Sequence, residues 1–324
     1  MRLSPVEPSW PLLGNSLDLW GLAQHGSGMS ETDSVPDTAP AAKAPQPQAA
    51  KPDEKPKKDE NFFAFLFWLV LGVVVLRSFI ISPFNIPSES MLPRLLIGDY
   101  LFASKWSYGY SKYSLPFSAP LIPGRVFASQ PERGDVVIFK APPGNDLDYI
   151  KRVIGLPGDE IRMQGGQVIL NGTPVPKERI DDFILPVTQN MRDSAKTEMR
   201  LPCVEPRFEI VRADGSSACR YPQYRETLPN GVSYNVLDMG PREKDNTGTY
   251  IVPEGHMFLM GDNRDNSLDS RFPPIEGGGI GIVPQENLVG KAALMMFSTD
   301  GSANWLLPWT WFTAARWNRI GGTF

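Results

Sequence analysis

Several residue types are scarce in this chain, and each scarcity narrows what it can be. Among 324 residues there are only two histidines, His25 and His256, so a hydrolase that relies on a histidine base has few places to put one. There are two cysteines, Cys203 and Cys219, on either side of the turn signal DGSS at Asp214–Ser217. In an oxidising compartment they could pair across a hairpin, or they could stay two buried thiols; the sequence leaves both readings open. Net positive charge is absent: the formal charge is −4 and the pI about 5.4, which offers no basic field for nucleic acid. Beyond Pro83 no long segment carries a 3.6-residue apolar period, and no internal repeat is visible.

Proline, by contrast, is abundant, with 32 residues, about twice average usage. Part of it lies in residues 30–60, where TAPAAKAPQPQAAKPDEKPKKDE has almost nothing apolar with which to offset the entropy of ordering, so 1–60 is predicted to be a disordered tail. Met1–Met29 has a different texture, with Trp10 and Trp20, and Met29 opens MSETDSVPD as an alternative start. Next comes FFAFLFWLVLGVVVLRSFII, Phe62–Ile81, whose length matches the ~20 apolar residues that cross a ~30 Å hydrocarbon layer. It starts deep in the chain and lacks an A-x-A exit, which favours a retained single-pass anchor over a cleaved leader. Lys51, Lys55, Lys57 and Lys58 precede the run while Arg94 and Lys105 are the first cations beyond Arg77, so the tail is predicted cytoplasmic and everything after Ser82 exported.

The body reads as short runs of strand formers between turns: DYLFASKWSYGY, GDVVIFKA, DYIKRVIGL, DEIRMQGGQVILNG, TYIVPEGHMFLMGDN and NLVGKAALMMFS. The predicted fold class is mostly β, one β domain over 83–300 with a charge-rich insertion or second β lobe at 177–246, preceded by one N-terminal transmembrane helix. The last segment, 301–324, carries Trp305, Trp309, Trp311 and Trp317 with Arg316 and Arg319, the composition of a membrane interface and equally of a packed core strap.

Just outside the anchor the chain reads IPSESMLP, with Ser88 and Ser90 between Pro87 and Pro93. The prolines keep the segment stiff and irregular, which suits a presented side chain as well as an ordinary stalk loop. A serine hydroxyl attacks only when a base takes its proton. His256, a lone histidine in a strand, is more often structural. In DYIKRVIGL, strand alternation puts Tyr149, Lys151 and Val153 on one face and Ile150, Arg152 and Ile154 on the other, so one cation can point inward while its neighbour points away. A lysine works as a base near neutral pH only if burial lowers its pKa from about 10.4 by several units, and Lys151 has the setting for that. Met260–Phe272, MGDNRDNSLDSRF, is dense in hydrogen-bonding groups and suits either a polar turn or a buried support network.

PSESMLPRLLIGD, RGDVVIF, YIKRVIGLPGD and GDNRDNSLDSR, in this order behind an anchor, resemble the motifs of bacterial type I signal peptidase, the membrane-bound serine protease that removes signal peptides from exported proteins. The resemblance implies a mostly β fold, an antiparallel β catalytic domain with an inserted β lobe, and it implies Ser90 as nucleophile and Lys151 as general base, a Ser-Lys dyad that uses no metal or other cofactor. It implies an oxyanion hole from the Ser88 hydroxyl and the Ser90 backbone N–H, Ser267 orienting Lys151, and Asp269 with Arg271 bracing the site. It further implies secretory precursors cut after A-x-A as substrates, membrane lipid and the secretion translocon as partners, and a bacterial inner (plasma) membrane location with a periplasmic catalytic domain. Pro83, Phe84, Ile86, Met91 and Leu95 are candidates for the apolar lining of the substrate pocket. Arg94 stands where the family often has Thr, and only one span is clear where many relatives have two. Two rivals keep some of these residues: a self-cleaving Ser-Lys regulator of the LexA kind, which would need a DNA-binding N-terminus, and a membrane-tethered precursor-binding protein without protease activity.

Overall fold

The computed structural model describes residues 60–304 and 306–324; the tail with His25 and Met29, and Trp305, lie outside the described residues. The apolar run forms helix α1 (Glu60–Val75), continued by a π-type turn, Leu76–Ile80. Phe62–Ile80 has a mean hydropathy of 2.4, is long and apolar enough to cross a bilayer, and exposes nearly every side chain. The helical stretch stops one residue before the end of the predicted anchor. Ile81 is extended (φ −134°, ψ 144°) and opens strand β1 (Ile81–Asn85), in which Pro83 disfavours helical geometry for Ser82.

Strand β1 ladders antiparallel onto β2 (Asp99–Ser104), and the loop between them carries Ser88 and Ser90. A short pair, β3 (Tyr110–Ser111) with β4 (Arg125–Val126), follows. The hairpin β5 (Val136–Lys140) and β6 (Asp148–Gly155) places Val137 opposite Lys151. Strands β7 (Glu160–Gln164), β8 (Gln167–Leu170) and β9 (Thr173–Pro174) form a meander; its first turn, Gly165–Gly166, has positive φ at both residues, as a tight hairpin demands. Then come β10 (Lys177–Pro186), helix α2 (Gln189–Thr197), β11 (Glu209–Val211), β12 (Ser217–Thr227) and β13 (Ser233–Leu237). The chain ends with β14 (Tyr250–Ile251), β15 (His256–Met260), β16 (Val283–Pro284), β17 (Leu288–Ser298) and the short helix α3 (Trp309–Ala314).

Seven strands make the main sheet, in the order β1-β2-β17-β5-β6-β15-β16, every neighbouring pair antiparallel. Strand β12 is the spine of a second sheet with β10, β11 and β13, and β14 joins the β7–β9 meander. The architecture is mostly β and antiparallel. Both faces of the main sheet are covered. Val136 and Ile138 pack with Ile86, Met91, Leu95 and Leu101, whereas Val137 and Phe139 pack with Val153, Met257 and Leu259. This double covering buries charged residues that simple strand alternation would have sent to water.

Cys203 and Cys219 are joined in a disulfide, which resolves the open alternative in favour of pairing. Cys219 lies on β12 and Cys203 in the loop that leads to β11, so the bond pins that loop onto a strand instead of crossing a two-strand hairpin.

Candidate active site

The β1–β2 loop is held by its own sequence. Ile86 extends the ladder, its N–H donating to Asp99 O at 2.8 Å while its carbonyl accepts from Gly98 N at 3.0 Å. Met91, Leu92 and Leu95 are fully buried and anchor the loop from below. Asn263 fastens the middle: its N–H donates to Ser90 O (3.1 Å) and its Nδ2 to Glu89 O (3.0 Å). Ser90 is left half-buried and Ser88 exposed, with their hydroxyl oxygens 3.4 Å apart.

Lys151, from the middle of β6, reaches this loop. Its Nζ lies 2.7 Å from Ser90 Oγ and 3.0 Å from Ile150 O. Only 4% of the residue is exposed, and burial lowers the amine to about 8, with Asp269 and Asp262 opposing the shift. At neutral pH an appreciable share of such an amine is neutral and can accept a proton, which an ordinary surface lysine cannot do. Its neighbour Arg152 does not point away into water. It is buried too, forking onto Asp262 through Nε (2.7 Å) and Nη2 (2.6 Å) and donating to Gly134 O (2.7 Å). The alternation of β6 therefore separates two buried sites, not a core from a surface.

Residues 261–271 form the bracing wall. Arg271 donates to Asp269 from Nε (2.8 Å) and Nη2 (2.9 Å), and Gly261 N donates to Asp269 Oδ2 at 3.1 Å. Burial by itself would push the Asp269 carboxyl up, but the Arg271 guanidinium and these N–H donors hold it below the usual range. Ser267 lines the cleft with Lys151 and Ser90, but its Oγ is buried without a hydrogen-bond partner, so the bond to Lys151 implied by the resemblance is not made in this structure. The hydroxyl instead leans on the bare Cα of Gly261: a Cβ there would meet Ser267 Oγ at 2.2 Å and Ser90 O at 2.5 Å.

A cleft of about 680 Å³ opens over Ser90 and Lys151. Of the proposed lining residues, Phe84 and Ile86 face it. Pro83, Met91 and Leu95 do not, because Pro83 is exposed on edge strand β1 and Met91 and Leu95 are turned into the core. Ile138, Tyr149, Ile150, Leu268 and Phe272 complete the apolar lining. Strand periodicity could have found Ile138 and Ile150, which sit opposite each other on β5 and β6, but nothing local marks Leu268 and Phe272. His256 is not part of the cleft lining; its Nδ1 lies 2.9 Å from Glu254 O at the start of β15.

The last residues also brace the β1–β2 loop, which sequence reasoning missed. Arg94 Nη2 donates to Thr323 O, Arg319 Nη2 donates to Arg94 O (2.8 Å), and Arg319 pairs with the fully buried Asp99, which also accepts from Leu96 N (2.7 Å). The arginine that departs from the family pattern is thus part of this strap.

A serine hydroxyl against a buried amine, on an antiparallel β scaffold behind an apolar helix, defines the class: a membrane-anchored serine peptidase. The chain belongs to the family described as signal peptidase, peptidase S26, which matches residues 60–297. It is 36% identical to signal peptidase I of Rickettsia typhi over 249 residues, covering 74% of this chain and 80% of the relative. It is 34% identical to signal peptidase I of Rickettsia conorii over 282 residues, covering 82% and 91%. A crystal structure of a signal peptidase I from Enterococcus faecalis V583 aligns at 23% identity with a TM-score of 0.24, over 50% of this chain and 97% of that one.

Proposed function

We propose that this protein cuts signal peptides from exported precursors with Ser90 as nucleophile and Lys151 as general base. The 2.7 Å contact between Lys151 Nζ and Ser90 Oγ, in a cleft wide enough for an extended peptide, carries the reading. Neutral Lys151 takes the Ser90 proton as Oγ attacks the scissile carbonyl carbon, and the resulting ammonium delivers that proton to the departing amine. Water, deprotonated by the same amine, then releases the acyl-enzyme. The Ser90 backbone N–H and the Ser88 hydroxyl stabilise the oxyanion; removing one such donor costs on the order of 100-fold in rate. Asp269 and Arg271 hold Gly261, and through it the Ser267 wall, against the dyad. The apolar lining of the cleft, from Phe84, Ile86, Ile138 and Ile150, suits the small apolar residues of an A-x-A site.

Within the membrane reading, α1 crosses the bacterial inner membrane once with the lysine-rich tail in the cytoplasm. The exposed Leu306, Trp309, Phe312 and Trp317 suit a face resting in lipid headgroups, which would keep the cleft near membrane-bound precursors delivered by the translocon. The test is cleavage of a secretory precursor in detergent by wild type, Ser90→Ala and Lys151→Met, with the cut site read by mass spectrometry. Cleavage after A-x-A that both substitutions abolish supports the dyad; cleavage that survives in Lys151→Met overturns it.

A further inference from the structure

Between the two serines of the nucleophile loop sits Glu89, a carboxylate that the dyad chemistry does not use. It is 2% exposed and does not face the cleft. Its Oε1 has no hydrogen-bond partner; its Oε2 lies 3.3 Å from Asn266 Nδ2 and 3.5 Å from Arg200 Nη1. Arg200 follows α2 in the segment between β10 and β11. It is fixed there by donating to Glu198 (2.6 Å), Leu201 O (3.0 Å) and Ser194 Oγ (3.4 Å), three residues before the disulfide at Cys203. A buried carboxylate costs free energy unless it is paired, and the cation facing this one is Arg200.

We infer that Glu89 is a positioning residue whose ionised form, gripping Arg200, holds the Ser88–Ser90 loop in its productive geometry. This inference rests on the Ser90–Lys151 reading. The backbone N–H and the hydroxyl assigned to the oxyanion belong to the residues on either side of Glu89, so slack at its side chain becomes misplacement of those donors. Misplacements of that size lower kcat more than they raise KM. The charged and titratable groups that face Glu89 are Arg200 and Glu198 beyond α2 and Tyr221 on β12, with the neutral amide of Asn266 from the bracing wall. Burial raises the Glu89 carboxyl to about 7, with Arg200 and Asn266 pulling it down and Glu198 pushing it up. The Glu89 titration therefore falls just below that of the Lys151 amine, which lies at about 8.

The experiment is the pH profile of kcat/KM for a secretory precursor in detergent, pH 5.5 to 9.5, for wild type, Glu89→Gln, Arg200→Met and Arg200→Lys, with Lys151→Met as control. In wild type the acid limb should fall with the first power of proton concentration from about pH 8 and steepen toward the second power over about one pH unit below pH 7, until the extra loss reaches about tenfold. Glu89→Gln should keep the first-power limb, lose the steepening, and drop kcat about tenfold at pH 8. Arg200→Met should move the steepening to higher pH, because the carboxylate has lost its cation, and Arg200→Lys should restore it. A wild-type limb of first power throughout, or steepening that persists in Glu89→Gln, overturns the inference. Full cleavage in Lys151→Met would overturn the dyad reading on its own, whatever the shape of the Glu89 limb.

Discussion

At the scale of single residues the site depends on burying an amine that water would keep charged. Because burial lowers Lys151 to about 8 from an ordinary value of 10.5, the free-enzyme rate should climb as pH rises and level off above about pH 8. Stability follows the opposite face of the same shift. Below pH 8 the amine is protonated in both folded and unfolded chains and the full penalty of burying an ammonium is present; between pH 8 and 10.5 only the unfolded chain holds the proton, and the penalty fades. Lys151→Met should therefore be more stable than wild type at pH 7, by up to about 3 kcal/mol, with the gain shrinking toward pH 10. Denaturant unfolding at the two pH values checks this, and a variant no more stable than wild type at pH 7 would mean that the amine is already solvated. Gly261 is the other sensitive residue. A methyl group there must displace both Ser267 and the Ser90 carbonyl, so Gly261→Ala should lose on the order of 100-fold in kcat with little change in KM. Near-normal turnover would show that the close approach is dispensable.

At the scale of elements, buried charge joins the second sheet to the 261–271 segment, and the disulfide pins the loop before β11 onto β12 of that sheet. Arg264 forks onto Glu226 of β12 with Nη1 at 2.6 Å and Nη2 at 2.5 Å, and both residues are almost wholly buried. Removing only the guanidinium strands a buried carboxylate, so Arg264→Met should cost about 3–5 kcal/mol, while Arg264→Met with Glu226→Leu should recover most of it. Thermal melts of the single and double variants separate the two cases. The Cys203–Cys219 bond closes a loop with a sequence separation of 16, for which loop entropy accounts for about 3 kcal/mol. The Cys203→Ser, Cys219→Ser double variant should melt correspondingly lower, and a reductant should bring wild type to the same temperature; identical melts with and without reductant would deny the bond a structural part.

At the scale of the whole molecule, the described residues include an exposed apolar helix long enough to cross a bilayer and exposed aromatic side chains at Trp309, Trp311, Phe312 and Trp317. If the tail lies in the cytoplasm as proposed, a protease added to spheroplasts should digest residues 83–324, whereas inverted membrane vesicles should shield them and lose only the lysine-rich tail. The reverse pattern would invert the topology. The membrane span and the β class are local properties. Composition over Phe62–Ile81 suffices for the first, and short strand-forming runs between glycine and proline turns suffice for the second. The proposed pair, Ser90 and Lys151, was also legible, because each sits in a stretch whose residue types suit that chemistry and because four motifs agree in order.

Other features depend on which surfaces meet, and no local pattern reports that. The burial of Arg152 needed strand β15 to bring Asp262 beside β6, and Met91 and Leu95 left the pocket because the sheet claimed them for its core. The brace from Arg94 to the last residues joins positions more than 200 apart in the chain, and the grip of Arg200 on Glu89 joins the nucleophile loop to a segment beyond α2. The sequence by itself determined the anchor, the β character and the proposed reacting pair, since apolar length, strand propensity and side-chain chemistry are written residue by residue. Only the tertiary structure decided the bracing, the pocket walls and the fate of each buried charge, since the stability of a buried ion depends on the partner that packing places within a few ångströms of it.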